Sequence, residues 1–194
     1  MRTGVAAALM VFSGLALAQE GPSFDCKQKL TSSVEERICK DARLAALDRK
    51  LADAYGAAVY QATDADKQAL AAEQRSWVRA RNDCWKLSDV PACVETAYRE
   101  RIADLTALYR LSEPVGIGHY LCPGPPAREL VAAFYDTDPP TAMVDYAGAT
   151  QLMRIARSGS GARYTGGQRQ FWEHQGVATL QWSPKGPEVS CPKK

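Results

Sequence analysis

The residues best suited to chemistry lie in one glycine-rich stretch, Ser158 to Tyr164, which reads Ser-Gly-Ser-Gly-Ala-Arg-Tyr and precedes Thr-Gly-Gly. The flexible segments on both sides would let a serine, an arginine and a tyrosine project from the fold. Binding residues concentrate on such loops when a rigid scaffold carries them. The stretch is therefore a candidate binding loop, with an ordinary solvated hairpin as the alternative.

Three kinds of chemistry can be compared for this stretch. A serine nucleophile needs a base and a strained turn, but Ser160 lacks the Gly-x-Ser-x-Gly spacing. No spacing links it to His174 as a base or to Asp145 behind that base. A phosphate cradle requires a helix with a lysine after the glycines, and no helical pattern follows. A loop that inserts into another protein needs only hydrogen-bond donors and shape, and the stretch has both.

The six cysteines predict disulfides rather than a metal centre. There is no Cys-x-x-Cys pair, and only His119 and His174 could add ligands, so we expect neither a metal nor a cofactor. Outside the cytoplasm, an even number of cysteines is typical of paired thiols. Six cysteines allow fifteen connectivities, and the division of the chain, with four cysteines in the first part and two in the second, reduces that number without fixing the pairs. Among the remaining pairings, we favour Cys26–Cys39, Cys84–Cys93 and Cys122–Cys191.

Residues 1–18 predict a secretory signal. Met1-Arg2 supplies a positive start, an apolar run follows from Val5, and Ala16-Leu17-Ala18 offers small residues for cleavage. The run is too short for a transmembrane helix, and no cysteine before Cys26 could carry a lipid. The mature protein is expected to be periplasmic or secreted, soluble after cleavage near Ala18, with no stable membrane insertion.

Proline and glycine divide the mature chain into two unlike parts. Residues 19–112 contain two Pro and two Gly, whereas residues 113–194 contain nine and ten. Such a shift separates helix-permissive from turn-rich sequence. Charge is balanced in both parts, with 15 basic and 15 acidic residues in the first and 8 and 7 in the second. This balance argues against a nucleic-acid-binding protein, which would carry a basic excess.

The first part has the apolar periodicity of helices. Ser32, with Glu35 three residues on, predicts a capping box for a short helix that ends near Cys39. Three longer helices are expected to begin near Asp41, near Asp64 or Asp66, and around Pro91. These elements predict an antiparallel helical bundle over residues 23–111.

Several arginines of this bundle could form a binding surface, but the accompanying acids favour a solvated face of paired charges. They are Arg75, Arg79, Arg81, Arg99 and Arg101. Trp77 and Trp85 are expected in the core or at its edge.

After a linker expected at residues 112–118, short β-like runs alternate with turns. They cover residues 119–122, 129–135, 142–146, 150–156, 168–175, 177–182 and a last run near 189. Their regular spacing predicts a small antiparallel β-barrel over residues 119–194. The fold class expected for the whole chain is therefore α+β, with two domains.

The first part resembles the LprI N-terminal domain family. The shared features are the paired cysteines around Glu36-Arg37-Ile38-Cys39, the Gln74-Arg75-Ser76-Trp77 segment and Arg81-Asn82-Asp83-Cys84. The family is named for lysozyme inhibition, and the resemblance implies an envelope protein without assigning a role to any residue.

The second part resembles the MliC/PliC family, inhibitors of c-type lysozyme. The resemblance lies in Tyr120-Leu121-Cys122, Ser160 to Tyr164, Phe171-Trp172, Ala178-Thr179-Leu180 and the closing Cys191. It implies a β-barrel whose motif loop enters the lysozyme cleft, where its serine meets the catalytic carboxylates. That role would fall on Ser160, with Tyr164 shaping the loop. The implied lysozyme-binding residues are Ser160, Gly161, Arg163, Tyr164 and His174.

One position departs from that family, which usually carries a lysine two residues beyond the Phe-Trp pair. His174 stands there, and histidine is only partly charged at neutral pH. We expect weaker inhibition, inhibition that strengthens in mild acid, or compensation by Arg163. A turn histidine with no role in binding is the alternative.

Taken together, these features predict a non-enzymatic inhibitor whose partner is a c-type lysozyme. The alternative is a non-inhibitory module that binds peptidoglycan or another envelope protein, and an enzyme is the weakest hypothesis. The sequence leaves the oligomeric state open.

Overall fold

The computed structural model describes residues 21–194, so the expected signal segment lies outside the described residues. Within that range, four helices are followed by eight strands, which confirms the expected α+β fold. The helices are α1 (Ser33–Lys40), α2 (Ala42–Gln61), α3 (Asp64–Asn82) and α4 (Val90–Leu108), with a short 3-10 turn (Asp83–Lys86) before α4.

Polar side chains determine where the first helices begin. Ser32 Oγ accepts the backbone N–H of Glu35 at 3.2 Å, as a helix N-cap does. The Glu35 carboxylate reaches back to the backbone N–H of Thr31 at 2.6 Å, one residue earlier than in a standard capping box. Asp41 follows α1 and caps α2, because its carboxylate accepts the backbone N–H of Leu44 at 3.3 Å.

A polar network lies inside the bundle, centred on Arg81, which is only 4% exposed. Arg81 Nη1 donates to the Tyr98 hydroxyl at 2.7 Å, and that hydroxyl donates to Asp48 Oδ1 at 2.7 Å. A Glu35 oxygen lies 3.7 Å from Arg81 Nη2. A buried charge requires partners of this kind. The expectation of a solvated face is therefore wrong for Arg81.

Arg101 is buried as well, and its Nε donates to Gln74 Oε1 at 3.0 Å. Arg75 and Arg79 are exposed, as expected. Trp77 packs against Tyr98 with ring centroids 5.3 Å apart, whereas Trp85 is 59% exposed and does not belong to the core.

The barrel consists of eight antiparallel strands in sequence order. They are β1 (Gly116–Cys122), β2 (Arg128–Tyr135), β3 (Thr141–Tyr146), β4 (Ala149–Ala156), β5 (Ala162–Gly166), β6 (Arg169–His174), β7 (Val177–Gln181) and β8 (Val189–Pro192). The first strand begins at Gly116, within the expected linker. The sheet closes nearly completely, since Tyr120 of β1 forms a bridge with Lys193 just after β8.

Alternate side chains of the strands fill the barrel with a largely aromatic and aliphatic core. Tyr120 and Phe171 are both fully buried and meet edge to face, with ring centroids 5.8 Å apart. Other members of this core are Leu130, Val144, Met153, Tyr164 and Leu180.

All six cysteines are paired, as Cys26–Cys39, Cys84–Cys93 and Cys122–Cys191. These are the pairs favoured by the sequence. The first two staple short segments of the helical bundle, with sequence separations of 13 and 9. The third joins β1 to β8 across 69 residues and holds the two ends of the sheet together.

The bundle packs directly on the barrel, because α4 lies against β3 and β4. Arg154 of β4 donates from Nε to Asp104 Oδ1 of α4 at 2.9 Å, and a second contact joins its Nη2 to the same carboxylate. Arg99 of α4 also pairs with Asp138, in the connection between β2 and β3. The two halves are therefore joined by charged contacts as well as by the chain.

Candidate functional site

The candidate loop lies at one end of the barrel, together with two other connections. Because the strands alternate in direction, the connections after β2, β4 and β6 meet at the same end. We call this the loop end, formed by residues 136–140, 157–161 and 175–176. The helical bundle contacts the loop end through the ion pair between Arg99 and Asp138.

Residues 157–161, the Ser160 loop, combine an exposed side chain with a fixed backbone. The Ser160 carbonyl accepts hydrogen bonds from the Trp172 indole Nε1 at 2.9 Å and from the Ser158 hydroxyl at 2.5 Å. Ser160 is exposed, and its own hydroxyl makes no hydrogen bond to any residue between 21 and 194. The hydroxyl is therefore free to bind a partner.

Gly161 holds the end of this loop against β6. Its φ of +63° is in the left-handed region, which favours glycine. A Cβ at this position would lie 2.3 Å from the Glu173 carbonyl oxygen and 3.0 Å from His174 Cβ. Only glycine fits this close approach, which explains why a glycine is required at position 161.

Three half-buried side chains form an outer row beside the loop. Arg163 of β5 lies opposite Trp172 of β6 in the strand register. His174 lies two residues further along β6 and stacks on the Trp172 ring, with centroids 5.8 Å apart and 19° between the planes. The loop end therefore brings together a chain of contacts: the Trp172 indole contacts the Ser160 carbonyl on one side and the His174 ring on the other. Gly161 packs against His174, and Arg163 adds a positive charge opposite Trp172.

Tyr164 differs from the other expected site residues, because its side chain points into the barrel. It is 7% exposed, and its ring lies 5.6 Å from Phe134 and 6.4 Å from Phe171. Burial raises the pKa of its phenol. The expectation that this tyrosine projects from the loop is wrong, since Ala162–Gly166 is a strand and alternation turns Tyr164 inward.

The serine-hydrolase triad considered from the sequence is not assembled. Asp145 is the penultimate residue of β3, next to the turn at 147–148, which lies at the barrel end opposite the Ser160 loop. Its carboxylate accepts a hydrogen bond from the Thr150 hydroxyl. His174 and Ser160 share the loop end, but this carboxylate cannot orient the histidine there.

Arg169 is also remote from the loop, although it is in β6, the strand paired with β5. It begins β6 at the far end, where its guanidinium stacks on Trp182 at 4.3 Å and donates to Gln151 Oε1 at 2.9 Å. Six residues of β6 span about 17 Å. Arg163, by contrast, is the second residue of β5, which begins directly after the loop.

The role of Trp172, whose indole holds the loop, was not predicted from the sequence. The only available signal was the Phe171-Trp172 pair that follows the motif, which indicates an inward and an outward aromatic residue on one strand. The link between Arg154 and Asp104 had no local signal, since 50 residues separate them.

Two features of the described part of the chain bear on other site types. Between residues 21 and 194, no group of His, Cys, Asp and Glu side chains is arranged to hold a metal ion. No helix in that range has the length and apolar content needed to cross a bilayer.

Comparison with protein families matches the two halves separately. The family described as lysozyme inhibitor LprI matches residues 26–105, and the membrane-bound lysozyme-inhibitor of c-type lysozyme, MliC, matches residues 120–188. Both resemblances drawn from the sequence are confirmed. These are families of inhibitors and not of enzymes. They indicate an extracytoplasmic location.

Individual relatives match across both halves. Lipoprotein LprI of Mycobacterium bovis and that of Mycobacterium tuberculosis are each 35% identical over 166 residues, which cover 84% of this chain and 80% of the relative. Among solved structures, Pseudomonas aeruginosa MliC in complex with hen egg white lysozyme matches with 26% identity and a TM-score of 0.35, over 41% of this chain and 81% of that one. With both halves matched by a single relative, the chain belongs to the LprI family of lysozyme inhibitors.

Proposed function

We propose that this protein inhibits c-type lysozyme by inserting the Ser160 loop into the active-site cleft of the enzyme. The observation that carries the proposal is the state of Ser160, whose exposed hydroxyl has no hydrogen-bond partner among residues 21–194 while its carbonyl accepts two hydrogen bonds. A rigid loop with a free donor and acceptor at its tip suits a cleft lined by polar groups.

The chemistry of the target explains why a hydroxyl is suitable. A lysozyme cleaves its substrate with two carboxyl groups, one protonated as the acid and the other ionised. A serine hydroxyl can donate a hydrogen bond to the ionised group and accept one from the protonated group. Inhibition then follows from occupying the cleft, and no bond of the inhibitor needs to change.

The positive charge near the loop also supports insertion into a cleft that contains an ionised carboxylate. Two basic residues lie at the loop: the exposed Arg157 belongs to it, and Arg163 is in β5, which begins directly after it. His174 adds positive charge when it is protonated. Because the barrel as a whole is nearly neutral, these charges act at short range and long-range steering is weak.

A lysis assay tests the proposal with the full, oxidised chain. A suspension of bacterial cells is exposed to a c-type lysozyme while the protein is titrated in, and turbidity reports lysis. We expect micromolar protein to suppress lysis and Ser160→Ala to weaken inhibition about 10- to 100-fold, the loss of a hydrogen bond to a charged group.

The matched control is Ser183→Ala, which removes an exposed serine hydroxyl from the opposite end of the barrel. Its inhibition should equal that of the parent. Undiminished lysis at micromolar parent protein would contradict the proposal. If the protein then sediments with peptidoglycan, the non-inhibitory envelope module is favoured, and cleavage of cell wall by the protein alone would indicate an enzyme.

A further inference from the structure

We propose that Trp172 is a positioning residue that fixes the Ser160 loop in its binding shape before a lysozyme arrives. This inference rests on the proposed function, because it concerns the same loop. It differs from a role in direct contact, since the indole acts on the backbone of the loop in the free protein.

The indole is well placed to hold the loop, because its Nε1 lies 2.9 Å from the Ser160 carbonyl oxygen. A tryptophan side chain has only this one donor and no acceptor. The Ser158 hydroxyl donates to the same carbonyl, so two donors converge on one backbone oxygen. The carbonyl is thus directed to the barrel, while the Ser160 hydroxyl remains unbonded to residues 21–194.

Trp172 is itself held firmly enough to act as an anchor. It lies in the middle of β6, between Arg163 of β5 and Thr179 of β7 in the register. The His174 ring stacks against it from the same strand. An anchor fixed in a central strand can restrain a loop that has no regular backbone pairing of its own.

The loop needs such a restraint because of its composition. Gly159 and Gly161 allow many backbone conformations, and ordering flexible residues on binding costs free energy. The close fit of Gly161 on the Glu173 carbonyl fixes one end of the loop. The indole hydrogen bond fixes the preceding residue, Ser160. The loop is therefore ordered when the protein folds, and binding does not have to supply the free energy of ordering it.

The test replaces the indole but keeps an aromatic ring, with Trp172→Phe in the full chain. Trp182→Phe is the matched control, because Trp182 packs on Arg169 and Tyr146 and its N–H makes no hydrogen bond within residues 21–194. Two measurements are needed: NMR order parameters of the loop amides in the free protein, and inhibition of a c-type lysozyme.

For Trp172→Phe we expect the order parameters of Ser160 and Gly161 to fall from the rigid range, about 0.85, toward about 0.6. Inhibition should weaken about 3- to 10-fold, the effect of losing one neutral hydrogen bond. Trp182→Phe should change neither quantity.

Unchanged order parameters in Trp172→Phe would overturn the inference even if inhibition weakened, because Trp172 would then be a contact residue. Unchanged inhibition with a loosened loop would overturn it as well. If the parent protein fails to inhibit at all, the proposed function fails, and the order parameters still report whether Trp172 restrains the loop.

Discussion

The helical bundle and the barrel differ in where their prominent polar side chains lie, in the interior of the bundle and on the surface of the barrel. In the bundle, Asp48, Arg81 and Tyr98 turn inward and satisfy one another at hydrogen-bond distances. In the barrel, the interior is apolar and aromatic, and a serine hydroxyl without a partner in residues 21–194 lies at the loop end.

This difference indicates which half is equipped for binding through its polar groups. The Arg81 guanidinium already donates to Tyr98 and Asn82, so it has little hydrogen-bonding capacity left for a ligand. An exposed hydroxyl on a fixed backbone keeps its hydrogen-bonding capacity for a partner. The barrel is therefore the half to which we assign lysozyme binding, and the bundle flanks it.

The largest expected difference between the two halves is in how much their disulfides stabilise them. Replacing both Cys122 and Cys191 by alanine should lower the free energy of unfolding by about 4 kcal/mol, because the bond closes a long loop. The same change at Cys84 and Cys93, nine residues apart, should cost about 2.5 kcal/mol. Guanidinium denaturation of each variant measures these losses. A larger loss in the Cys84/Cys93 variant than in the Cys122/Cys191 variant would contradict this prediction.

The second largest effect is expected from breaking the buried network around Arg81 in the bundle. Arg81→Ala leaves Asp48 and Tyr98 without their cation, so the free energy of unfolding should fall by about 3 kcal/mol. Arg79→Ala, an exposed arginine on the same helix, should cost no more than about 0.5 kcal/mol. Equal effects in chemical denaturation would mean that the network does not stabilise the bundle.

The contact between the halves gives a smaller effect. Arg154→Ala should lower the free energy of unfolding by about 2 kcal/mol, since Asp104 loses a charged hydrogen-bond partner. Arg128→Ala, an exposed arginine of β2, serves as the control.

The pH dependence of this variant has a definite sign. Burial raises the pKa of Asp104, and the hydrogen bond from Arg154 opposes the rise. A carboxyl with a raised pKa costs stability above its folded-state pKa, and that cost disappears below its unfolded-state value. The defect of Arg154→Ala should therefore shrink as the pH falls through the raised folded-state pKa toward the unfolded-state value of about 4, and it should be smallest below that value. A defect that grew in acid would contradict this assignment.

The smallest effect concerns Glu35 at the start of α1. Burial raises the pKa of Glu35, but hydrogen bonds from Thr31 and the charge of Arg81 outweigh it and lower the pKa. A lowered pKa contributes stability at neutral pH that is lost as the pH falls through the folded-state value. Glu35→Gln should be slightly less stable than the parent near neutral pH and equal to it in strong acid. Thermal unfolding at both pH values checks this, and a difference that persists in acid would refute it.

Local patterns were sufficient to predict most of the fold. The spacing of apolar residues predicted the four helices, and the turn residues predicted seven of the eight strands. The missing strand was β5, because Gly159 and Gly161 on one side and Gly166 on the other made it resemble a loop. Yet Tyr164 and Arg163 alternate inward and outward there, which is the period of a strand.

The candidate site was only partly predictable. The exposed Ser160 follows from its glycine neighbours, but the hydrogen bond from Trp172 depends on a strand register that the sequence does not specify. Similarly, Arg81 resembled a surface arginine, because the network that buries it joins residues as far apart as Asp48 and Tyr98. Both features depend on contacts between residues far apart in the sequence, which local patterns do not reveal.

Insertion of the Ser160 loop predicts that the protein and a ligand of the lysozyme cleft exclude one another. The affinity of the full chain for a c-type lysozyme is measured with increasing concentrations of a chitin oligosaccharide that fills the active-site cleft. If the Ser160 loop occupies the cleft, the apparent Kd should rise linearly with the saccharide concentration, because only the fraction of lysozyme with an empty cleft can bind the protein. An apparent Kd that stays constant while the protein still inhibits lysis would contradict insertion of the loop and place the binding surface elsewhere.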